Sequence, residues 1–175
     1  MRMVRKQLLL ETSHYVIAFI VGLFVGYAIV HWFLFINSDG RSIDYESWLL
    51  FRPGFISFEI ILIKNSQFSV ALYLFGFNRS LQYLAMFIAG LISGFLLSPL
   101  VPPCAALAVI PHGLLELIGY AVAGIGGYNY FSLHRLTLRD SLVRYLFPSL
   151  VLLGIAAFME AFITLNLVLA TPICN

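Results

Sequence analysis

Charge is scarce in this sequence. Of its 175 residues only 10% are Asp, Glu, Lys or Arg, against about 25% in a soluble domain. With 61% hydrophobic residues and a mean hydropathy of +0.96, a water-soluble fold of this length could not hide its apolar surface. The chain is therefore read as an integral membrane protein whose solvent is the lipid bilayer. Other features are missing too. No basic tract with interleaved polar residues is present, so no nucleic-acid partner is expected. There is no Walker A loop, no Gly-x-Ser-x-Gly elbow and no His-Glu-x-x-His, and no serine sits in a nucleophile context. Alternating strands are too few for a barrel, and no tandem repeat is visible. Because lipid offers no partner for open backbone groups, each crossing must then be a helix.

What is present is a set of apolar runs near the roughly 20 residues a crossing needs. They predict an all-α polytopic membrane bundle of about five transmembrane helices, forming one domain over residues 1–175. The spans fall at 13–36, 55–77, 80–98, 105–130 and 146–170. The first follows a basic start (Arg2, Arg5, Lys6) and runs into His31, Trp32 and Phe33, an aromatic belt. No small-x-small cleavage site ends it, so it reads as a retained helix. The second carries Glu59, Lys64 and Asn65. A charge at the centre of a span costs about 2.5–3.5 kcal/mol, so residues 55–64 are expected as an interfacial amphipathic helix. Phe55, Phe58, Ile61 and Leu62 would form its apolar face, ahead of a short crossing from Asn65. Pro111 predicts a re-entrant or kinked start to the fourth span at 105–111.

Charge placement orients the chain. With five spans and a cytoplasmic N-terminus, the inner side holds Arg2, Arg5, Lys6, Arg79, Arg135, Arg139 and Arg144. The outer side holds Arg41 and Arg52, near Asp39, Asp44 and Glu46, and Lys64 sits at the membrane boundary. Seven against two follows the positive-inside rule. The expected location is the cell membrane, multi-pass, with the C-terminus outside. Cys104 and Cys174 then lie on the same outer side, as a disulfide or as two unpaired thiols. Gly22-x-x-x-Gly26 and Gly90-x-x-x-Gly94 each put two small residues on one helix face. They serve either packing within the chain, the favoured reading, or a homodimer. "SLHRLTLRDSLVRYLF" reads as a basic inner-surface segment, in which each arginine near an anionic leaflet contributes about 1 kcal/mol.

The polar residues inside the apolar runs carry the functional question. In "AVIPHGLLELIGYAVAG", residues 108–124, His112 and Glu116 are four apart and share a helix face. Glu160 is isolated in "AAFMEAFITLNL", with Thr164 one turn away, and Asn65 and Gln67 open the second crossing. Intramembrane ionisable groups face the bundle interior and pair with something. Three accounts stand side by side. The groups satisfy one another as a hydrogen-bonded core. Alternatively, His112, Glu116 and Glu160 hold a divalent metal such as zinc, structural or water-activating. Or the acids line a proton or ion path.

Three segments also resemble a known family. "IPHGLLELIGYAVAGIGG" is similar to the Pro-His-Gly-x-x-Glu segment of the stage II sporulation protein M family of integral membrane proteins. "AAFMEAFIT" resembles that family's last helix, and "ILIKNSQFSVALYLFG" its segment with an Asn opening a helix. The matches come in the family's order, over roughly residues 60–170. The resemblance implies a polytopic membrane protein. In spore-forming bacteria it further implies a partner in a complex that remodels peptidoglycan during engulfment. It maps Asn65, His112, Glu116, Glu160 and Thr164 onto the family motifs. The favoured function is a membrane scaffold or partner subunit with a buried polar centre, its partners being other membrane proteins or a second copy. A small ion- or proton-coupled transporter or channel is the runner-up, and a metal-dependent intramembrane hydrolase comes third.

Overall fold

The computed structural model describes the backbone at residues 2–37, 54–97 and 103–164, and the side chains at 11–32, 54–94 and 110–164. Helix α1 runs Arg2–Asn37 and α2 runs Phe55–Leu74, closed by a 3-10 turn, Phe75–Phe77. Helix α3 spans Arg79–Leu97 and α4 spans Pro103–Phe131. The short α5, Leu138–Ser141, leads through a π-helical turn, Leu142–Leu146, into α6, Phe147–Phe158, which ends in a second π-helical segment, Met159–Thr164. Among the described residues there is no strand.

Local chemistry sets the ends. Gly54 precedes α2 at φ +143°, a conformation that L side chains rarely adopt. Asn78 caps α3 through its side-chain oxygen, which accepts from Ser80 N at 2.9 Å and Leu81 N at 3.3 Å. Thr137 caps α5 by accepting from Asp140 N at 3.1 Å. Pro148 lies inside the continuous run from Leu138, directly after the π-helical turn Leu142–Leu146.

The helices fall where the apolar runs predicted them, with three corrections. Residues 55–64 do not form a separate interfacial helix: α2 continues unbroken through Asn65. The face assigned to the interface is partly a packing face, where Ile61, with Phe58 and Leu62, lies against Ala157 and Ala161. Of the two starts expected at 105–111, re-entrant or kinked, the re-entrant one is ruled out: the backbone is helical from Pro103, with Pro111 inside α4. The last helical run also starts earlier than expected, at Leu138. The side chain of Cys104 and all of Cys174 lie outside the described residues, as do Asp39, Arg41, Asp44, Glu46 and Arg52.

Packing is built around α4, which touches α1, α2 and α6, while α1 and α3 share the broadest helix–helix contact. Glycine sets that contact. A Cβ at Gly22 would fall on the Phe87 carbonyl, one at Gly90 on the Phe19 carbonyl, and one at Gly94 on the Leu23 carbonyl. Gly22 of the first Gly-x-x-x-Gly motif and both glycines of the second therefore pack within one chain, the reading favoured from sequence. A second close crossing joins the end of α2 to α4, where Gly76 and Gly127 meet backbone to backbone.

The core holds Tyr15, Leu72, Met86, Tyr120, Ala121, Ile125 and Leu153. Outside it, large apolar side chains stand exposed along every long helix, among them Phe24, Ile63, Ile92, Leu114 and Ile155. A surface this apolar suits lipid. Among the described residues, three helical segments are long and apolar enough to cross a membrane: Glu11–Trp32, Phe55–Phe77 and Leu138–Thr164.

Candidate functional site

The polar residues singled out in the sequence lie on three helices that meet. Helix α4 contributes His112 and Glu116, α2 contributes Asn65, and the π-helical end of α6 contributes Glu160 and Thr164. The Asn65 side-chain amide donates to Glu116 Oε1. His112 Nδ1 and Thr164 Oγ1 share a hydrogen bond of 3.0 Å. On the other edge of the ring, His112 Nε2 is 4.0 Å from Glu160 Oε2. His112 is buried, at 4% exposure, whereas the Glu160 side chain is 32% exposed. The five residues thus form two linked contacts, α2 to α4 through Glu116 and α4 to α6 through His112. Glu160 stands at the open edge.

The metal triad, one of the three accounts, is not assembled among the described residues. Among the described residues no three His, Cys, Asp or Glu side chains are grouped so as to hold a metal ion. The reason lies in the partners. Glu116 is turned toward Asn65 and His112 Nδ1 toward Thr164, which leaves only His112 Nε2 and Glu160 facing each other. Structural and catalytic zinc sites use at least three protein ligands. The donor set does not fit a zinc ion, and no chemistry is routed through one.

Sequence reasoning missed the polar contacts that continue inward from this centre. Ser69 and Ser149 hydroxyls meet at 2.7 Å. Tyr73 donates to Ser141 Oγ at 2.9 Å, and Ser141 donates in turn to the Gly126 carbonyl at 2.9 Å. Asn65, Ser69 and Tyr73 are successive members of a four-residue series, so one stripe of α2 presents a hydrogen bond at every turn. That spacing was the available signal. Deeper still, the fully buried Gln82 donates to the Leu72 and Gly124 carbonyls, both at 2.8 Å, and accepts from the Tyr15 hydroxyl at 2.6 Å. The bundle closes at that end with Arg79, 3.1 Å from Glu11 and 3.9 Å above the Tyr128 ring. The two π-helical segments were not foreseen. The second holds Glu160 and Thr164, and such wide turns recur at functional sites.

The family model described as stage II sporulation protein M matches residues 15–165. The chain belongs to this family. No curated protein and no solved structure matches it. The match takes in α1 and α3 as well as the three segments that carried the resemblance, and so includes both the polar centre and the Gln82 contacts.

Proposed function

We propose that this member of the stage II sporulation protein M family is a multi-pass membrane scaffold or partner subunit, and that its polar centre locks α2, α4 and α6 into one unit. The observation that carries the reading is how the polar groups are used. Asn65 is spent on Glu116, and Thr164 on His112. A centre whose side chains bond across helices holds a shape that a partner can recognise. The family's name points to sporulation, and a subunit's role in a membrane complex follows what the resemblance implies.

In this reading the chain crosses five times, with its N-terminus in the cytoplasm. The ion pair between Glu11 and Arg79, with Tyr128 beside it, supports the alternation. It brings the spanning part of α1, the start of α3 and the end of α4 to one end of the bundle. Arg135, Arg139 and Arg144 follow α4 in the chain, and positive charge marks the cytoplasmic side.

Proton- or ion-coupled transport is the second reading. It is favoured by Glu160 alone, a half-buried acid close to a buried imidazole. Glu116→Gln and Glu160→Gln separate the two. Glutamine at 116 still accepts from Asn65, so the thermal midpoint in detergent should stay near wild type. Asn65→Leu breaks the same contact and should cost about 0.6 kcal/mol, with about 1.7 as an upper value for interhelical bonds in membranes. In proteoliposomes carrying an internal pH dye, a scaffold should not dissipate a pH gradient faster than empty vesicles, in any of the variants. Rapid dissipation by wild type, lost in Glu160→Gln, would make the protein a transporter instead.

A further inference from the structure

The segment after α4 carries charge that the polar centre does not use. The chain leaves α4 through a rigid turn. Ser132 N and Leu133 N both donate to the Tyr128 carbonyl at 3.0 and 3.1 Å, and Arg135 N donates to Asn129 O at 3.0 Å. The Ser132 hydroxyl is fixed on the Gly76 carbonyl at 2.7 Å. Two exposed arginines follow, Arg135 on the turn and Arg139 on α5. Among the described residues neither has a carboxylate partner. Asp140, the nearest acid in the chain, is engaged elsewhere: it lies 3.5 Å from Arg144 and accepts from the Thr137 hydroxyl at 2.8 Å.

Past Arg139 and as far as Phe147, the exposed residues of the helical run are Leu142, Val143, Arg144 and Phe147, three of them apolar. Ser141 is fully buried and marks the inward face of this helical run. Val143, one turn past Arg139, is 60% exposed, and Phe147, one turn further, is 65% exposed. Leu142 is exposed beside them. Exposed cationic groups just before and at the start of this helical run, followed by exposed apolar residues one and two turns along it, match a single amphiphile. Its anionic head would meet guanidinium, and its chain would lie along valine and phenylalanine.

We propose that Arg135 and Arg139, with Leu142, Val143 and Phe147, form a binding site for an anionic phospholipid. Charge complementarity selects the headgroup, since two exposed guanidinium groups, Arg135 on the anchored turn and Arg139 on α5, neither with a carboxylate partner among the described residues, suit a phosphate bearing net negative charge. Continuity with the lipid-facing surface of α6 selects a lipid over a soluble acidic peptide, which has nothing to lay along Val143 and Phe147. The site is separate from the polar centre and does not depend on its role.

The test uses the full chain in detergent, with phosphatidylglycerol or phosphatidylcholine added and bound lipid counted by native mass spectrometry. Wild type should retain phosphatidylglycerol in preference to phosphatidylcholine, and raising salt should weaken retention because exposed charges are screened. Arg135→Gln/Arg139→Gln should lose about 30-fold in affinity, the equivalent of about 1 kcal/mol for each arginine near a lipid surface. Both side chains are exposed, so lipid-free stability should change little. Arg135→Lys/Arg139→Lys keeps the charge and should keep most of the binding. Equal retention of the two lipids by wild type, or undiminished phosphatidylglycerol binding in the glutamine pair, would overturn the site. So would salt-insensitive binding, or displacement of the lipid by a soluble acidic peptide.

Discussion

Gly90→Leu is expected to abolish the folded protein. The α1–α3 contact is the broadest in the bundle, and it is made backbone to backbone. A Cβ at Gly90 would already fall on the Phe19 carbonyl, before the rest of the leucine is added. Overpacking against side chains costs about 1–3 kcal/mol because rotamers can shift. A helix backbone has no rotamer to change, so here α1 must move away. That separation would also lift Gly22 from Phe87 and Gly94 from Leu23, and close approach is what drives helices together in lipid. The loss should therefore exceed about 3 kcal/mol, the upper end of the ordinary range. Size-exclusion chromatography in mild detergent should show the monodisperse wild-type peak replaced by aggregate. Gly113→Ala and Gly154→Ala provide the contrast. Both sit inside helices, with nothing within 4 Å of the added carbon. They should leave the peak intact and gain up to about 1 kcal/mol from helix propensity. If Gly90→Ala proved as harmless as Gly113→Ala, glycine-mediated packing of α1 on α3 would be wrong.

This contact also marks how far a single sequence can be read. The Gly-x-x-x-Gly spacing named a close-packing face, because two small residues on one helix face admit another backbone and little else. Helix positions were legible for a similar reason: long apolar runs have few other fates in lipid. The polar set was legible by contrast with its surroundings, a His and two acids in runs of Leu, Ile and Ala. Its pairing was not. Four-residue spacing states which side chains share a face, but not which neighbour they meet. His112 and Glu116 could have met around one ion with Glu160. Instead Asn65 takes Glu116 and Thr164 takes His112. The π-helical turn around Glu160 was invisible because it depends on packing register, not on composition. The interfacial helix failed for a related reason. Glu59 and Lys64 suggested a break before Asn65, yet α2 is continuous there and Ile61, on the face assigned to the interface, packs against Ala157 and Ala161. Neutral polar residues were overlooked most. Ser69, Tyr73 and Gln82 carry no charge to draw notice, although each makes a buried bond between helices.

Gln82→Leu is the second large effect expected. The side chain from α3 reaches the Tyr15 hydroxyl on α1, the Leu72 carbonyl on α2 and the Gly124 carbonyl on α4. Leucine is close in size and more apolar, so a purely hydrophobic account would predict neutral or improved stability. The hydrogen-bond account predicts the reverse. Three interhelical bonds at about 0.6 kcal/mol each, with about 1.7 as the upper value, amount to roughly 2–5 kcal/mol. Part of that loss belongs to the Tyr15 hydroxyl, fully buried and left without its acceptor, for which about 1–3 kcal/mol is typical. That share is recoverable. Tyr15→Phe in the Gln82→Leu background removes the orphaned hydroxyl, so the double variant should be more stable than Gln82→Leu alone. Unfolding by sodium dodecyl sulfate in mixed micelles would measure Gln82→Leu, Tyr15→Phe and the double variant. Additive losses, or a Gln82→Leu protein as stable as wild type, would show that the amide does not hold the bundle. Non-additive losses would mean that one amide couples four helices. Probes placed on α1 and α2 should then report a single coincident transition. That rigidity is what a scaffold needs: α4 bears the Gly124 carbonyl that anchors Gln82 and, two turns and three turns away, Glu116 and His112.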